Sequence, residues 1–360
     1  MKENPKSILI VKLSAIGDVV HTLPLLDVLR KCYPGSRIDW VVEEDASQII
    51  EGHEAIDQVI VSRRKTWQRQ ILRPWRHWRE VFRQARSFVR EFRSREYDLV
   101  IDLHGLLKSG ILTGIARGRR KIGFSFGTEG SSIFLTEKAH EVEMDQHALE
   151  RYLQTAEILG CRKDSWDGKI PIRPAEREAI DHIIHEKGLE GVTMVAINPV
   201  AKWKTKLWDD HKFAFLADRI EEETPCKVVF TGSTKDRSIV DAIIREMKAE
   251  PLNLAGKTTL KELAYLYSRC ALLVSTDTGP MHIAAAMKCP VVALFGPTAP
   301  WRTGPYGTEH TVIREPLDCS PCFKKRCSHR KCMKSITVNR VFDALTAYLG
   351  DKGRVVTPMV

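Results

Sequence analysis

Four short stretches hold residues whose types and spacing could do chemistry. In KLSAIGDVVHTLP (12–24) an apolar run ends at Leu13, Ser14, Ala15 and Gly17 supply a tight turn, and Asp18 opens the following helix. A carboxylate there either caps the helix or acts as a general base on a substrate hydroxyl. NPVAKWKTKLWDDHKF (198–213) sets Lys202, Lys204 and Lys206 just after a strand-like segment. Ammonium groups at that point suit a pyrophosphate, and the plain alternative is a solvated charge run. STDTGPMHIAAA (275–286) delivers Asp277, Thr278 and Gly279 at a strand end, with His282 one turn into the next helix. Gly279 admits close backbone approach and the helix amides offer an anion site, whereas His282 also reads as a core histidine. In TGSTKDRSIV (231–240), Asp236 falls on a first helical turn, where an acid can accept from ribose hydroxyls. No G-x-G-x-x-G occurs, so a dinucleotide fingerprint is absent. The Asp-Thr-Gly triplet also occurs in aspartic proteases, but those are β proteins and this pattern is not.

A fifth stretch, DCSPCFKKRCSHRKC, spaces Cys319, Cys322, Cys327 and Cys332 around His329. The spacing admits a structural zinc, disulfides or free thiols, and it is not a pair of C-x-x-C knuckles. The other five cysteines, Cys32, Cys161, Cys226, Cys270 and Cys289, lie mostly in apolar segments and read as inert core thiols. The N-terminus shows no secretory pattern, which predicts a cytoplasmic protein without a disulfide framework.

Lysine plus arginine is 56 against 46 acids, a net charge of +10. Residues 63–95 contain twelve basic residues and two acids, Glu80 and Glu91, so this block equals the whole excess. Arginine alternates there with Trp67, Trp75, Trp78, Phe82, Phe88 and Phe92. One anionic partner is implied. Nucleic acid is one candidate; a phosphorylated lipid on an anionic membrane surface is the preferred one. Arg63, Arg64 and Arg73, extended by His104 and Lys108, are the candidate contacts for that partner.

These residues need elements to position them. At 360 residues, with 43% hydrophobic and 28% charged, the chain has the composition of a globular protein of two domains. Strands are predicted at 7–13, 37–43, 55–61, 97–103, 193–199, 227–233, 270–277 and 289–296. Helical stretches lie between them, at about 18–32, 73–95, 209–222, 235–248, 258–268 and 279–288, with a closing helix at 336–350. The alternation predicts an α/β protein of parallel sheets covered on both faces. A connector near Pro171 and Pro174 separates a domain at 1–175 from one at 190–335, leaving a segment at 336–360 that could pack back on the first. Ligands would sit in a cleft between them, outside the strand carboxyl ends.

In combination, KLSAIGDVVHTLP, the K-x-W element at Lys206–Trp208, and VSTDTGPMHIAAA followed by VVALFGPTAP resemble the ADP-heptose:lipopolysaccharide heptosyltransferases. These are inverting glycosyltransferases (family 9) of the GT-B fold, two Rossmann-like domains facing across a cleft. The resemblance spans almost the whole chain, and VIDLHGLLKSG (100–110) with the Arg- and Trp-rich block is most similar to the heptosyltransferase I branch. It implies Asp18 as base and Lys206 on the donor diphosphate. It also implies Asp236 on the adenosine ribose, Thr258 near adenine, and Asp277, Thr278, Gly279 and His282 on the donor phosphate and heptose. Ala201 and Lys202 replace a hydroxylated pair, leaving their backbone for the donor. The implied substrates are ADP-heptose and Kdo-lipid A, with no cofactor or catalytic metal, in a monomer at the inner face of the cytoplasmic membrane. A heptosylated inner core, as in heptosyltransferase II, is the alternative acceptor. A sugar-nucleotide epimerase or a nucleic-acid-binding protein fits fewer of the motifs.

Overall fold

The computed structural model describes residues 4–71, 78–124, 129–163 and 166–351. Contacts divide the chain into two units, Met1–Pro171 and Ile172–Val360.

The first unit contains, in chain order, β1 (Ser7–Val11), α1 (Ile16–Val20), α2 (Leu23–Cys32), β2 (Arg37–Glu43), α3 (Glu44–Ser47), β3 (Gln58–Ser62), α4 (Arg64–Ile71), α5 (Trp78–Phe92), β4 (Glu96–Asp102), α6 (Leu107–Ile115), β5 (Arg117–Gly123) and α7 (Ala148–Ile158). Its sheet order is β3-β2-β1-β4-β5, with every pair parallel. β1 takes the centre because Ile8–Val11 have no polar side chain to offer water; all four are fully buried. Ile10 pairs with Trp40 on one side and Ile101 on the other. The chain leaves β1 toward β2 and returns on the far side as β4. The carboxyl ends of β1 and β4 therefore flank a topological switch point, where open α/β sheets bind ligands.

The apolar stretch read as one helix at 18–32 is two. Pro24 has no amide to donate and sits in the first turn of α2. The Thr22 hydroxyl donates to the Asp18 carbonyl at 2.8 Å across the break. α1 is thus a separate turn preceded by Ala15, and Asp18 is its third residue rather than its cap. Cys32 and Cys161 are not inert core thiols. They form a disulfide, with Cα atoms 5.6 Å apart, that ties the end of α2 to the chain just after α7. Cys226, Cys270 and Cys289 are buried thiols outside any disulfide, as read from their apolar surroundings. β5, RGRRKIG, escapes sequence patterning because it is a charged edge strand, its Arg117 and Arg119 facing Glu96 and Asp98 of β4.

The second unit runs α8 (Pro174–Glu186), β6 (Met194–Asn198), α9 (Asp210–Glu223), β7 (Lys227–Phe230), α10 (Arg237–Arg245), β8 (Leu252–Asn253), α11 (Leu260–Arg269), β9 (Leu272–Thr276), α12 (Gly279–Ala286), β10 (Val291–Phe295), α13 (Pro300–Thr303), β11 (Thr311–Arg314), α14 (Lys331–Lys334) and α15 (Val338–Asp351). Its sheet, β11-β10-β9-β6-β7-β8, is also parallel, with the switch point between β6 and β9. The closing helix α15, offered by the sequence as a segment packing back on the N-terminal domain, places Val341, Phe342 and Leu345 in the second unit's own core with Leu216 and Ile220 of α9. No described helix is long and apolar enough to cross a membrane.

Leu345 is fully buried, so Leu345→Ala should destabilise the second unit by about 2–5 kcal/mol. The shift in its denaturant midpoint measures this. A loss below about 0.5 kcal/mol, the range of surface substitutions, would contradict the packing of α15.

Candidate active site

In the first unit the site grows from the carboxyl end of β1. Lys12 follows the buried strand residues, and its side chain is only 4% exposed. Its Nζ donates to the Leu103 carbonyl at 2.9 Å and to the Tyr152 hydroxyl at 2.5 Å. Tyr152 in turn donates to Asp18 Oδ1 at 3.0 Å, while the Ala15 amide donates to Oδ2 at 3.1 Å. Lys12 Nζ lies 4.0 Å from Asp18 Oδ1, and the carboxylate keeps 40% exposure. Desolvation works to raise the Asp18 pKa, but the Lys12 charge, the Ala15 amide and Tyr152 together hold it below the ordinary carboxylate range. Burial lowers the Lys12 pKa against the opposing pull of Asp18 and Asp102.

After β4, Asp102 Oδ1 accepts the amides of His104 and Gly105 at 2.9 and 3.0 Å, and Oδ2 accepts the Ser109 hydroxyl at 3.0 Å. This carboxylate shapes the loop that carries His104. Neither ring nitrogen of His104 has a hydrogen-bond partner among the described residues. Burial first, then the Lys12 and Lys108 charges, push its pKa down to about 3. His104 is therefore a neutral imidazole beside the Asp18 network.

Lys108 links this network to the basic block. Its Nζ donates to Ser14 Oγ at 2.9 Å and lies 3.6 Å from Glu43. Glu43, at the end of β2, is 1% exposed and also receives Arg64 at 2.7 Å and Lys65 at 2.8 Å. Desolvation raises its pKa, and these cations bring it below the usual value. Arg63 pairs with Glu44 at 3.3 Å. Arg64 and Lys108 thus stand together around one buried carboxylate, while Arg63 lies at its edge. Arg73 lies outside the described residues.

In the second unit, Lys206 ends a short 3-10 turn, Lys204–Lys206, after β6. Its Nζ is 2.6 Å from Asp277 Oδ2, which also accepts the Thr298 hydroxyl at 2.6 Å. This ion pair joins the loops after β6 and β9 across the switch point. Lys202 and Lys204 are exposed and Ala201 is half-buried. Thr278 precedes α12, whose first amide belongs to Gly279, and His282 is buried one turn on. Asp236 accepts the Ser233 amide at 2.9 Å and its hydroxyl at 2.5 Å. The loop leading to Thr258 lies alongside, through the Gly256 amide on the Gly232 carbonyl at 2.8 Å. Gly256 has φ +72°, and a Cβ there would stand 2.8 Å from Thr234 Cα, so only glycine fits.

The cysteine segment braces the Lys206 turn. The Thr205 hydroxyl donates to the Lys324 carbonyl at 2.9 Å, and Arg330 reaches the carbonyls of Lys204 and Leu207 and the Asp209 carboxylate. Among the described residues, no three His, Cys, Asp or Glu side chains are placed to hold a metal ion, so the zinc site considered for Cys319, Cys322, Cys327 and Cys332 is not formed. All four are free thiols. Within the segment, Cys327 accepts the Arg330 amide at 3.4 Å, and Cys332 lies with Met333 over Gly296.

Sequence reading missed Lys12, Glu43, Asp102 and Tyr152. A charge inside VKL at a strand end was the only local signal for Lys12. Tyr152 lies 134 residues from Asp18 and had none.

Residues 85–333 match glycosyltransferase family 9 (heptosyltransferase). Lipopolysaccharide heptosyltransferase 1 of Pseudomonas aeruginosa is 29% identical over 338 residues, 90% of this chain and 88% of that one. Among solved structures, the family 9 glycosyl transferase of Veillonella parvula matches with TM-score 0.81 and 28% identity, covering 98% of this chain and 99% of the other. The E. coli heptosyltransferase WaaC with ADP matches with TM-score 0.74 and 25% identity, over 95% and 99%. The chain therefore belongs to glycosyltransferase family 9, and its two parallel-sheet α/β domains match the GT-B structures of that family.

A neutral, buried His104 has a sign for stability. Its folded pKa lies below the unfolded value of about 6.5, so between these values the unfolded state binds the extra proton and stability falls as pH falls. His104→Gln should lose about 1–2 kcal/mol less than the wild type between pH 7 and 5. Denaturant titrations at both pH values measure the difference; parallel losses would contradict the assignment.

Proposed function

We propose that the chain is an inverting heptosyltransferase of lipopolysaccharide core synthesis that moves heptose from ADP-L-glycero-D-manno-heptose onto Kdo-lipid A. The observation that carries this is the Asp18 carboxylate, kept ionised yet partly exposed at the β1 switch point. Asp18 takes the proton of a Kdo hydroxyl as that oxygen attacks C1, and the bond from C1 to the diphosphate breaks. A carboxylate of low pKa is a weak base, so the proton moves late, when the bonded hydroxyl has become strongly acidic. Lys206, aimed by Asp277, meets the charge developing on ADP with the Gly279 amide, and the step needs no metal. The other donor contacts are Asp236 to the ribose, Thr258 near adenine, and Ala201, Lys202, Thr278 and His282. The P. aeruginosa relative is a lipopolysaccharide heptosyltransferase 1, and resemblance to that branch supports Kdo as the acceptor sugar.

The acceptor would meet Arg63, Arg64, Lys108 and His104, with Arg73 in the same block. Helix α5 extends this toward a membrane. Spacings of three and four put Arg79, Arg83, Arg86 and Arg90 on one face, with Arg93 just past the helix end. Beside them Trp78 and Phe82 are 45% and 68% exposed, while Val81 and Phe92 are buried. Such a face suits an anionic headgroup layer at the inner leaflet.

Product assays with ADP-heptose and either Kdo-lipid A or heptosylated core test the reading. Product from Kdo-lipid A is expected. Product from the heptosylated core alone would move the reading to heptosyltransferase II. Asp18→Asn should cut turnover roughly a hundredfold or more while ADP affinity holds, and wild-type turnover would remove the base. Lys206→Ala should weaken donor KM and kcat together; unchanged constants would assign the diphosphate to another residue.

Arg79, Arg86 and Arg90 changed to Glu should lower binding to phosphatidylglycerol vesicles by about tenfold or more at low salt, with the effect shrinking as salt rises. Unchanged co-sedimentation would remove the membrane role of α5.

A further inference from the structure

We infer that Lys12 and Tyr152 are positioning residues that set the charge and direction of Asp18; this rests on Asp18 being the base. Both oxygens of Asp18 carry one protein donor, Tyr152 on Oδ1 and the Ala15 amide on Oδ2. The carboxylate is therefore fixed at two points, and its remaining acceptor capacity lies on its exposed side. Tyr152 can donate to Asp18 with a defined hydrogen because its own oxygen accepts from Lys12 Nζ at 2.5 Å. The relay has one polarity: ammonium to hydroxyl to carboxylate.

Lys12 is a costly way to build a strand end. An ammonium 4% exposed gives up its hydration, and a well-packed apolar side chain of similar size often stabilises such a position as well or better. Its charge is used 4.0 Å from Asp18 Oδ1. Helix α7 contributes the other half: Tyr152, 4% exposed, also lies with its ring 4.3 Å from Lys12 Nζ. The charged and titratable groups around Asp18 come from three elements: Lys12 after β1, Tyr152 on α7 and His104 after β4. Lys12 additionally feels Asp102 of β4, Arg151 of α7 and Lys108 of α6. Burial, Lys12 and Lys108 hold the His104 pKa down to about 3. Tyr152→Phe, which leaves those charges in place, is therefore read at Asp18, whereas the Lys12 variants also relieve His104 and are read by the Asp18 carboxyl carbon directly.

The test uses the full chain and the variants Tyr152→Phe, Lys12→Met and Lys12→Arg. Two readouts are taken: the acidic limb of kcat against pH with ADP-heptose and Kdo-lipid A, and the titration of the Asp18 carboxyl carbon by NMR. Removing the hydroxyl should raise the Asp18 midpoint by about half to one unit, and removing the charge by about one to two, the scale for a nearby opposite charge. The acidic limb of kcat should move by the same amounts, with donor KM within about twofold, and Lys12→Arg should restore most of the shift. A purely structural role would lower kcat equally at every pH and leave both midpoints in place, which overturns the inference. If the carbon titration shifts but the acidic limb does not, Asp18 is not the base and only the reading beneath the inference fails. Should Lys12→Met not fold, Tyr152→Phe, nearly isosteric, decides by the same two readouts.

Discussion

Among the described residues every strand pairs in parallel, and the central strands are apolar along their length. Ile8–Val11, Val195–Ile197 and Leu272–Val274 are fully buried and cannot place a polar side chain anywhere but at their ends. That constraint sends the chemistry to the loops that leave the carboxyl edges. Lys12 and Asp18 follow β1, Glu43 closes β2, His104 follows β4, Lys206 follows β6 and Asp277 follows β9.

Both units solve the same electrostatic problem at those edges. A charge needed for catalysis or for a phosphate has to be kept partly out of water without being neutralised. In the first unit Lys12 and Tyr152 support Asp18; in the second Asp277 supports Lys206 at 2.6 Å. The supporting partner is in each case the more buried of the two: Lys12 at 4% against 40%, Asp277 at 6% against 16%. The more exposed group of each pair keeps access to solvent while its buried partner supplies the field, the arrangement that the proposed roles of Asp18 and Lys206 require.

The basic block divides into two parts with different physics. Arg64 and Lys65 converge on Glu43, so their charge is largely answered from within and their geometry is fixed. The arginines along the outer face of α5 share the helix with two acids, Glu80 and Glu91, of which Glu80 pairs with Arg83. A net-charge count treats the two parts alike. Only the fold shows that the first is an internally paired charge cluster on Glu43 and the second a charged surface.

The sequence by itself determined the α/β class, nearly every central strand, and the motifs around Asp18, Lys206, Asp236 and Asp277, because continuous apolar runs and strand-end turns are local patterns. It also put Asp18 beside a turn, as a cap or a base, while the fold starts α1 at Ile16 and makes Asp18 its third residue. What it could not hold was any relation between distant segments. Charged β5 became a strand only through its pairing with β4. The Cys32–Cys161 bridge joins residues 129 apart. The cysteine segment has metal-like spacing, yet in the fold it braces the Lys204–Lys206 turn through the Lys324 carbonyl and the Arg330 side chain. Tyr152 is an ordinary helical tyrosine in sequence and a ligand of Asp18 in space. Side-chain burial and hydrogen-bond pairing across such distances arise only when the chain packs, and they decide which of the many charged residues can act.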